Sequence, residues 1–95
     1  MFARIGTWQG TSDELERWVT RSREHVIPGI QQQPGIAAAY CFLDRDGGKG
    51  LTITIWESEA AMRASEQFRT QTQGSTSAAS GAMVTTDRYE VVAGI

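Results

Sequence analysis

The chain has 95 residues, 40% hydrophobic and 21% charged, with a net charge of −2. That length gives one small domain, residues 1–95, with a single core, and the absence of a basic block argues against nucleic acid as a partner. No apolar run reaches the roughly 18 residues of a membrane span, no charged-then-apolar leader opens the chain, and the one cysteine, Cys41, fits a reducing compartment, so a cytoplasmic protein without membrane contact is expected.

Phe2 to Gly10 reads as a strand, rich in aromatic and β-branched residues. Thr11-Ser12-Asp13-Glu14 is a capping-box pattern, with the cap at Thr11 and a glutamate three residues on. Leu15, Trp18, Val19, Ser22 and Val26 then follow the stripe of an amphipathic helix. Pro28 ends or kinks that helix, because proline lacks the backbone donor. Pro34-Gly35 is a turn signal, and Ile36 to Asp44 is a second strand. Asp46-Gly47-Gly48-Lys49-Gly50 reads as a hairpin loop, and Leu51 to Trp56 as a third strand whose residues alternate between two faces. Ser58 caps a second helix that opens with Glu59 and runs to about Gln73, burying Ala61, Met62, Ser65 and Phe68. Gly74 to Ala82 holds only Gly, Ser, Thr and Ala, all small and uncharged, and reads as a loop or a short loose helix. Thr85 to Ile95 is the fourth strand.

The order βαββαβ, with right-handed crossovers, gives a ferredoxin-like α+β fold: a four-stranded antiparallel sheet with both helices on one face. The strands nevertheless carry apolar residues on both faces. Ile36, Tyr40 and Phe42 alternate with Ala37, Ala39, Cys41 and Leu43, while Tyr89, Val91, Ala93 and Ile95 form a row on the last strand. A bare apolar sheet of that size needs a cover, and the same face of a second copy, related by a two-fold axis, provides one. A homodimer through the sheet face is therefore expected. The alternative is a monomer with the 74–82 segment folded over the sheet.

Several residue types bear on chemistry. There is one histidine, His25, and no asparagine. With one histidine and one cysteine, the composition argues against a zinc site within the chain. Trp56, at a strand end beside a helix start, reads both as a flat wall for an aromatic ligand and as a core aromatic. Trp18, Ser22 and His25 fall at helical spacing on one side, which carries His25 toward the same pocket. There a neutral imidazole can take a phenolic proton; the bland alternative is a surface histidine near a helix end. Arg4 on a central strand needs a partner if buried, and Glu90 on the neighbouring strand is the candidate. Tyr40 carries a hydroxyl that can orient a ligand oxygen or bond to backbone, whereas Cys41 has no adjacent base to activate it. Asp87, Arg88 and Glu90 read as a solvated face.

Gln33-Pro34-Gly35-Ile36, followed 22 residues after Pro34 by Trp56-Glu57-Ser58-Glu59-Ala60, resembles the antibiotic biosynthesis monooxygenase family. That family is a branch of the dimeric α/β-barrel superfamily. The resemblance implies a homodimer whose sheets close a barrel, with a pocket between each sheet and its own helices. Known members include cofactor-free oxygenases of quinols and anthrones, and haem-degrading enzymes. The haem degraders use an asparagine on strand one, a tryptophan in helix two and a histidine near its end. The matching places here are Ala3 or Arg4, Ser65, and Gly74 or Ser75, so haem degradation is not expected. The cofactor-free oxygenases use an asparagine with Trp, Tyr and Arg; Trp56 carries over and the asparagine does not. The resulting expectation is a cofactor-independent, monooxygenase-like protein, with neither metal nor cofactor. It binds a planar phenolic or quinol-type compound through Trp18, Tyr40, Trp56, Met62 and Phe68, with His25 as base. The competing expectation is a non-catalytic dimeric binding or scaffold protein of the same fold.

Overall fold

The computed structural model describes residues 1–95. Strand β1 (Phe2–Gln9) alternates as its sequence requires: Arg4, Gly6 and Trp8 face the helices, and Ala3, Ile5 and Thr7 face away. It is a central strand of a sheet ordered β2-β3-β1-β4, in which β2 is Ile36–Asp44, β3 is Lys49–Trp56 and β4 is Met83–Glu90. Every neighbouring pair is antiparallel. With the helices on one face, this is the ferredoxin-like α+β arrangement. One irregularity between Ile36 and Ala38 bends the start of β2.

Helix α1 (Ser12–Arg21) opens on the capping box foreseen at Thr11 and Glu14. It does not stop at Pro28. A π turn over Ser22–Val26 leads into α2 (Ile27–Gln31), with Pro28 in its first turn. The wide turn sends the Ile27 N–H to the Ser22 carbonyl, so the hydrogen-bond ladder is already displaced where proline would break it.

The second helical segment is two helices, α3 (Glu59–Ala64) and α4 (Glu66–Ser80), joined at Ser65. The break has a local cause. The Met62 carbonyl accepts from the Ser65 hydroxyl at 2.7 Å and from an Arg4 guanidinium N–H at 2.7 Å. Both compete with the backbone donor that would continue α3. Helix α4 then runs through Gly74 to Ser80, so of the two readings of 74–82, loop or short helix, most of the segment is helix, and it continues the preceding one. Thr76 and Ser80 are buried there against α1, and tertiary packing overrides the weak propensity of Gly, Ser and Thr. Gly81, at φ 85°, ends the helix in the left-handed region.

Strand β4 ends at Glu90, not Ile95; beyond it the Val91 N–H reaches the Met1 carbonyl. The sheet's helix side holds a core of Trp8, Trp18 and Ala82, flanked by Val19, Cys41, Leu43 and Val84. The two indoles meet at 6.2 Å between centroids, tilted by 41°. The other sheet face is uncovered, and Tyr40, Phe42 and Tyr89 stand exposed on it.

Candidate functional site

A cavity lies between the helix-facing side of the sheet and the helices. The space open to the centre of a water molecule is about 50 Å³. One water needs roughly 10–15 Å³ on that measure, so the space holds a few waters, and a ring needs the lining to widen toward the roughly 150 Å³ of a cavity that holds benzene. Trp18 from α1, Trp56 from β3 and Phe68 from α4 form its aromatic walls, and Val26 and Ile30 close it from the helix side. The polar lining comes from Arg4 and Trp8 on β1, Thr52 and Thr54 on β3, and Arg69, Thr72, Gln73 and Thr76 on α4. Two cations are present. No carboxylate, histidine, lysine, cysteine or tyrosine lines the cavity.

Arg4 is the organising side chain. It is 5% exposed and sits with its guanidinium carbon 5.6 Å from the Trp56 ring centroid. One terminal nitrogen donates to Ser65 Oγ at 3.1 Å; the other donates to the Met62 carbonyl and to Glu66 Oε1 at 2.8 Å. Its partner is therefore Glu66, not Glu90. The register explains the correction: Arg4 stands opposite Arg88, while Glu90 stands opposite Phe2. Glu66 also accepts from Arg69 at 2.8 Å and from Arg88 at 2.7 Å. One carboxylate thus faces three guanidiniums. Partial burial pushes the Glu66 carboxyl up, but the hydrogen bonds from Arg88 and Arg69 and the Arg4 charge outweigh it and hold it at about 2. Burial pulls Arg4 below its usual value, and the Glu66 charge opposes that pull; arginine still remains a cation at neutral pH.

The Trp56 indole N–H donates to Thr54 Oγ1 at 2.9 Å, which fixes the ring against the cavity. Gln73 is held at both ends, accepting from Arg69 and donating to Thr86 Oγ1. Trp8 Nε1, Thr76 Oγ1 and Arg4 Nε are buried without a protein partner.

The six side chains expected at the site separate into two groups. Trp18, Trp56 and Phe68 come together around the cavity. Met62 is buried but borders a shallow outer groove with Phe2, Glu59 and Arg88. Tyr40 lies on the opposite face of the sheet, its ring 6.0 Å from that of Phe42, because its register partner is Ile53 and not Thr52 or Thr54. His25 is exposed in a surface groove with Glu16, Arg17, Arg21 and Glu24. The π turn explains its displacement: it holds more residues per turn than an α-helix, so the phase slips and His25 leaves the side of Trp18 and Ser22. Cys41 does face the helices, where burial pushes its thiol up and keeps it protonated. Sequence reasoning did not assign Trp8 or Arg4 to the site. Their signal was present in the alternation that sets Arg4, Gly6 and Trp8 on one face. Thr76 lies in the segment whose sequence reads as a loop or a short loose helix.

A tryptophan-walled cavity thus lies between a ferredoxin-like sheet and its own helices, the mark of an α+β sandwich with a hollow core. Residues 1–75 match the antibiotic biosynthesis monooxygenase family, and the chain belongs to that family. An uncharacterized protein of Mycobacterium tuberculosis is 25% identical over 93 residues, which is 98% of this chain and 42% of the relative. The chain thus spans less than half the length of that relative. Among solved structures, a monooxygenase from ActVA-Orf6 of Streptomyces coelicolor, in complex with the ligand nanaomycin D, superposes with a TM-score of 0.79. It is 18% identical, over 99% of this chain and 89% of that one. SnoaB, a cofactor-independent oxygenase from Streptomyces nogalater, superposes with a TM-score of 0.71. It is 14% identical, over 99% of this chain and 95% of that one. At these identities the likeness is one of fold.

Proposed function

We propose that this chain is a monooxygenase-like protein that binds a small planar phenolic or quinol-type compound between sheet and helices. One observation carries the reading: the aromatic cavity contains two guanidiniums and no base. Arg4 and Arg69 favour an anionic guest and lower the pKa of a bound phenol. The substrate then loses its proton to water on entry, and His25 has no part in the step. The resulting phenolate is electron-rich enough to react with O2, with neither metal nor flavin required. For 1-naphthol the balance closes: one O2 is consumed, one oxygen atom enters the ring to give 1,4-naphthoquinone, and the other leaves as water with the two hydrogens removed. Family membership supports this reading, and so does the fold shared with a protein described as a cofactor-independent oxygenase. We propose also that the chain works as a homodimer, joined through the open sheet face.

The absence of a base, taken without the guanidiniums, fits a second reading, a binding protein of the same fold that does no chemistry. Oxygen uptake with phenol, hydroquinone and 1-naphthol decides between them. Under the first reading O2 falls in step with quinone formation, the rate rises with pH as the bound phenol ionises, and His25→Ala leaves it unchanged. Binding of these phenols without O2 uptake establishes the second reading. A tenfold or greater loss in His25→Ala would overturn the base-free step.

A further inference from the structure

We propose that Trp8 selects the ligand: its indole N–H donates a hydrogen bond to the phenolate or carbonyl oxygen of the ring held in the cavity. The inference rests on the reading of the cavity as a site for phenolic rings, and adds which atom recognises them. Three observations support it.

Trp8 is 3% exposed, and its Nε1 has no protein partner. A buried N–H left without an acceptor is costly. The neighbouring polar groups offer no relief. Trp56 has its N–H on Thr54, and the Gln73 amide is engaged with Arg69 and Thr86.

The unpaired N–H also has space beside it. Gly6 lines the cavity two residues from Trp8 on the same face of β1. A methyl group built on Gly6 would sit 3.5 Å from Trp8 Nε1, 3.5 Å from Gln73 Nε2 and 3.4 Å from Val84. These are ordinary contact distances, so the glycine is not required by backbone packing there. It leaves open the volume next to the indole donor.

The donor set, finally, defines the guest. Trp8 N–H donates only, and a guanidinium donates only. Arg4 Nε and Thr76 Oγ1 are unpartnered in the same lining. An oxygen acceptor answers the indole N–H, and negative charge on it answers the guanidiniums, while a hydrocarbon ring of the same shape answers neither.

Matched probes test this by calorimetry: phenol against toluene, and 1-naphthol against 1-methylnaphthalene, in which a methyl replaces the hydroxyl at nearly constant shape. The expected result is at least tenfold tighter binding of the hydroxyl member of a pair. Trp8→Phe should erase that preference while retaining the hydrocarbon. Trp8 also packs on Trp18, so Gly6→Ala provides an independent variant. It should keep the wild-type circular dichroism and lose about tenfold in phenol affinity, because its methyl crowds the oxygen position. Equal binding of both members by the wild-type protein overturns the role of Trp8 and leaves the cavity reading standing. So does a hydroxyl preference that survives either variant. Failure of all four probes to bind removes the cavity reading, and the inference with it.

Discussion

Glu66 is the side chain on which the most charge converges, and its titration can be followed in the stability of the whole protein. Its carboxyl lies at about 2 in the fold, against an ordinary value of 4.5. A depressed carboxylate contributes stability that is fully present above the unfolded value and is lost as the pH falls through the folded one. The window is therefore pH 4.5 down to 2. The side chain is 32% exposed, and solvent screening reduces the contribution to about 1–2 kcal/mol. Urea midpoints measured across that window should fall for the wild-type protein. They should fall much less for Glu66→Gln, which begins lower at neutral pH because Arg4 keeps its burial without the countercharge. Parallel curves for the two proteins would place the acid sensitivity elsewhere. The Arg4–Glu66 pair also shows a limit of reading residues from pattern alone. Alternation placed Arg4 inside and showed that it needed a partner, but the partner came from a helix 62 positions away, and no local spacing encodes that contact.

At the scale of elements, two glycines make opposite demands. Gly50 lies in β3 under Trp18, and a methyl group there would stand 2.6 Å from the indole carbons. The ring is fully buried and rigid, with no room to retreat. Gly50→Ala should cost about 2–3 kcal/mol, the range of an overpacked core. Gly74 is exposed inside α4 with nothing within 4 Å of its absent side chain. Gly74→Ala should stabilise by about 0.5–1 kcal/mol, because alanine is the better helix former and restricts the unfolded chain. Chemical denaturation of both variants checks the pair; a destabilised Gly74→Ala would show that the helix is not continuous there. The same two residues mark what could be read in advance. The capping box, the strand alternation and the Pro-Gly turn are local signals, and the elements they announce are present. The last turns of α4 carry no such signal. They are helical because Thr76 and Ser80 find burial against α1, a cause that exists only once the chain has folded. Gly50 likewise reads as one more glycine of a turn until Trp18 is seen above it. The aromatic walls of the cavity were legible for a related reason: Trp18, Trp56 and Phe68 point inward by simple periodicity, whereas His25 depended on an unbroken helical phase that the π turn removes.

The molecule as a whole has two unlike sides. The cavity and its lining occupy the helix side of the sheet. The other side presents Tyr40, Phe42 and Tyr89, each at least half exposed, around Ile5, Leu51, Ile53 and Ile55. A contiguous apolar sheet face of this kind is a cost to an isolated molecule in water. Helix α4 takes up most of the 74–82 segment, so that segment is not free to cover the face. The cover we propose is the same face of a second copy, related by a two-fold axis. The expected particle in sedimentation equilibrium therefore has twice the 10.4 kDa chain mass, and its melting temperature rises with protein concentration. Phe42→Glu places a charge in that contact and should give a monomer with unchanged far-ultraviolet circular dichroism, since the side chain already meets solvent in the single chain. A wild-type protein that sediments as a monomer would overturn the dimer. Because the cavity opens on the opposite side of the sheet, the Phe42→Glu monomer should still bind 1-naphthol within about threefold of the wild type, provided binding is local to one chain. A loss of tenfold or more, with the fold intact, would instead mean that closing the two sheets against each other sets the shape of the cavity.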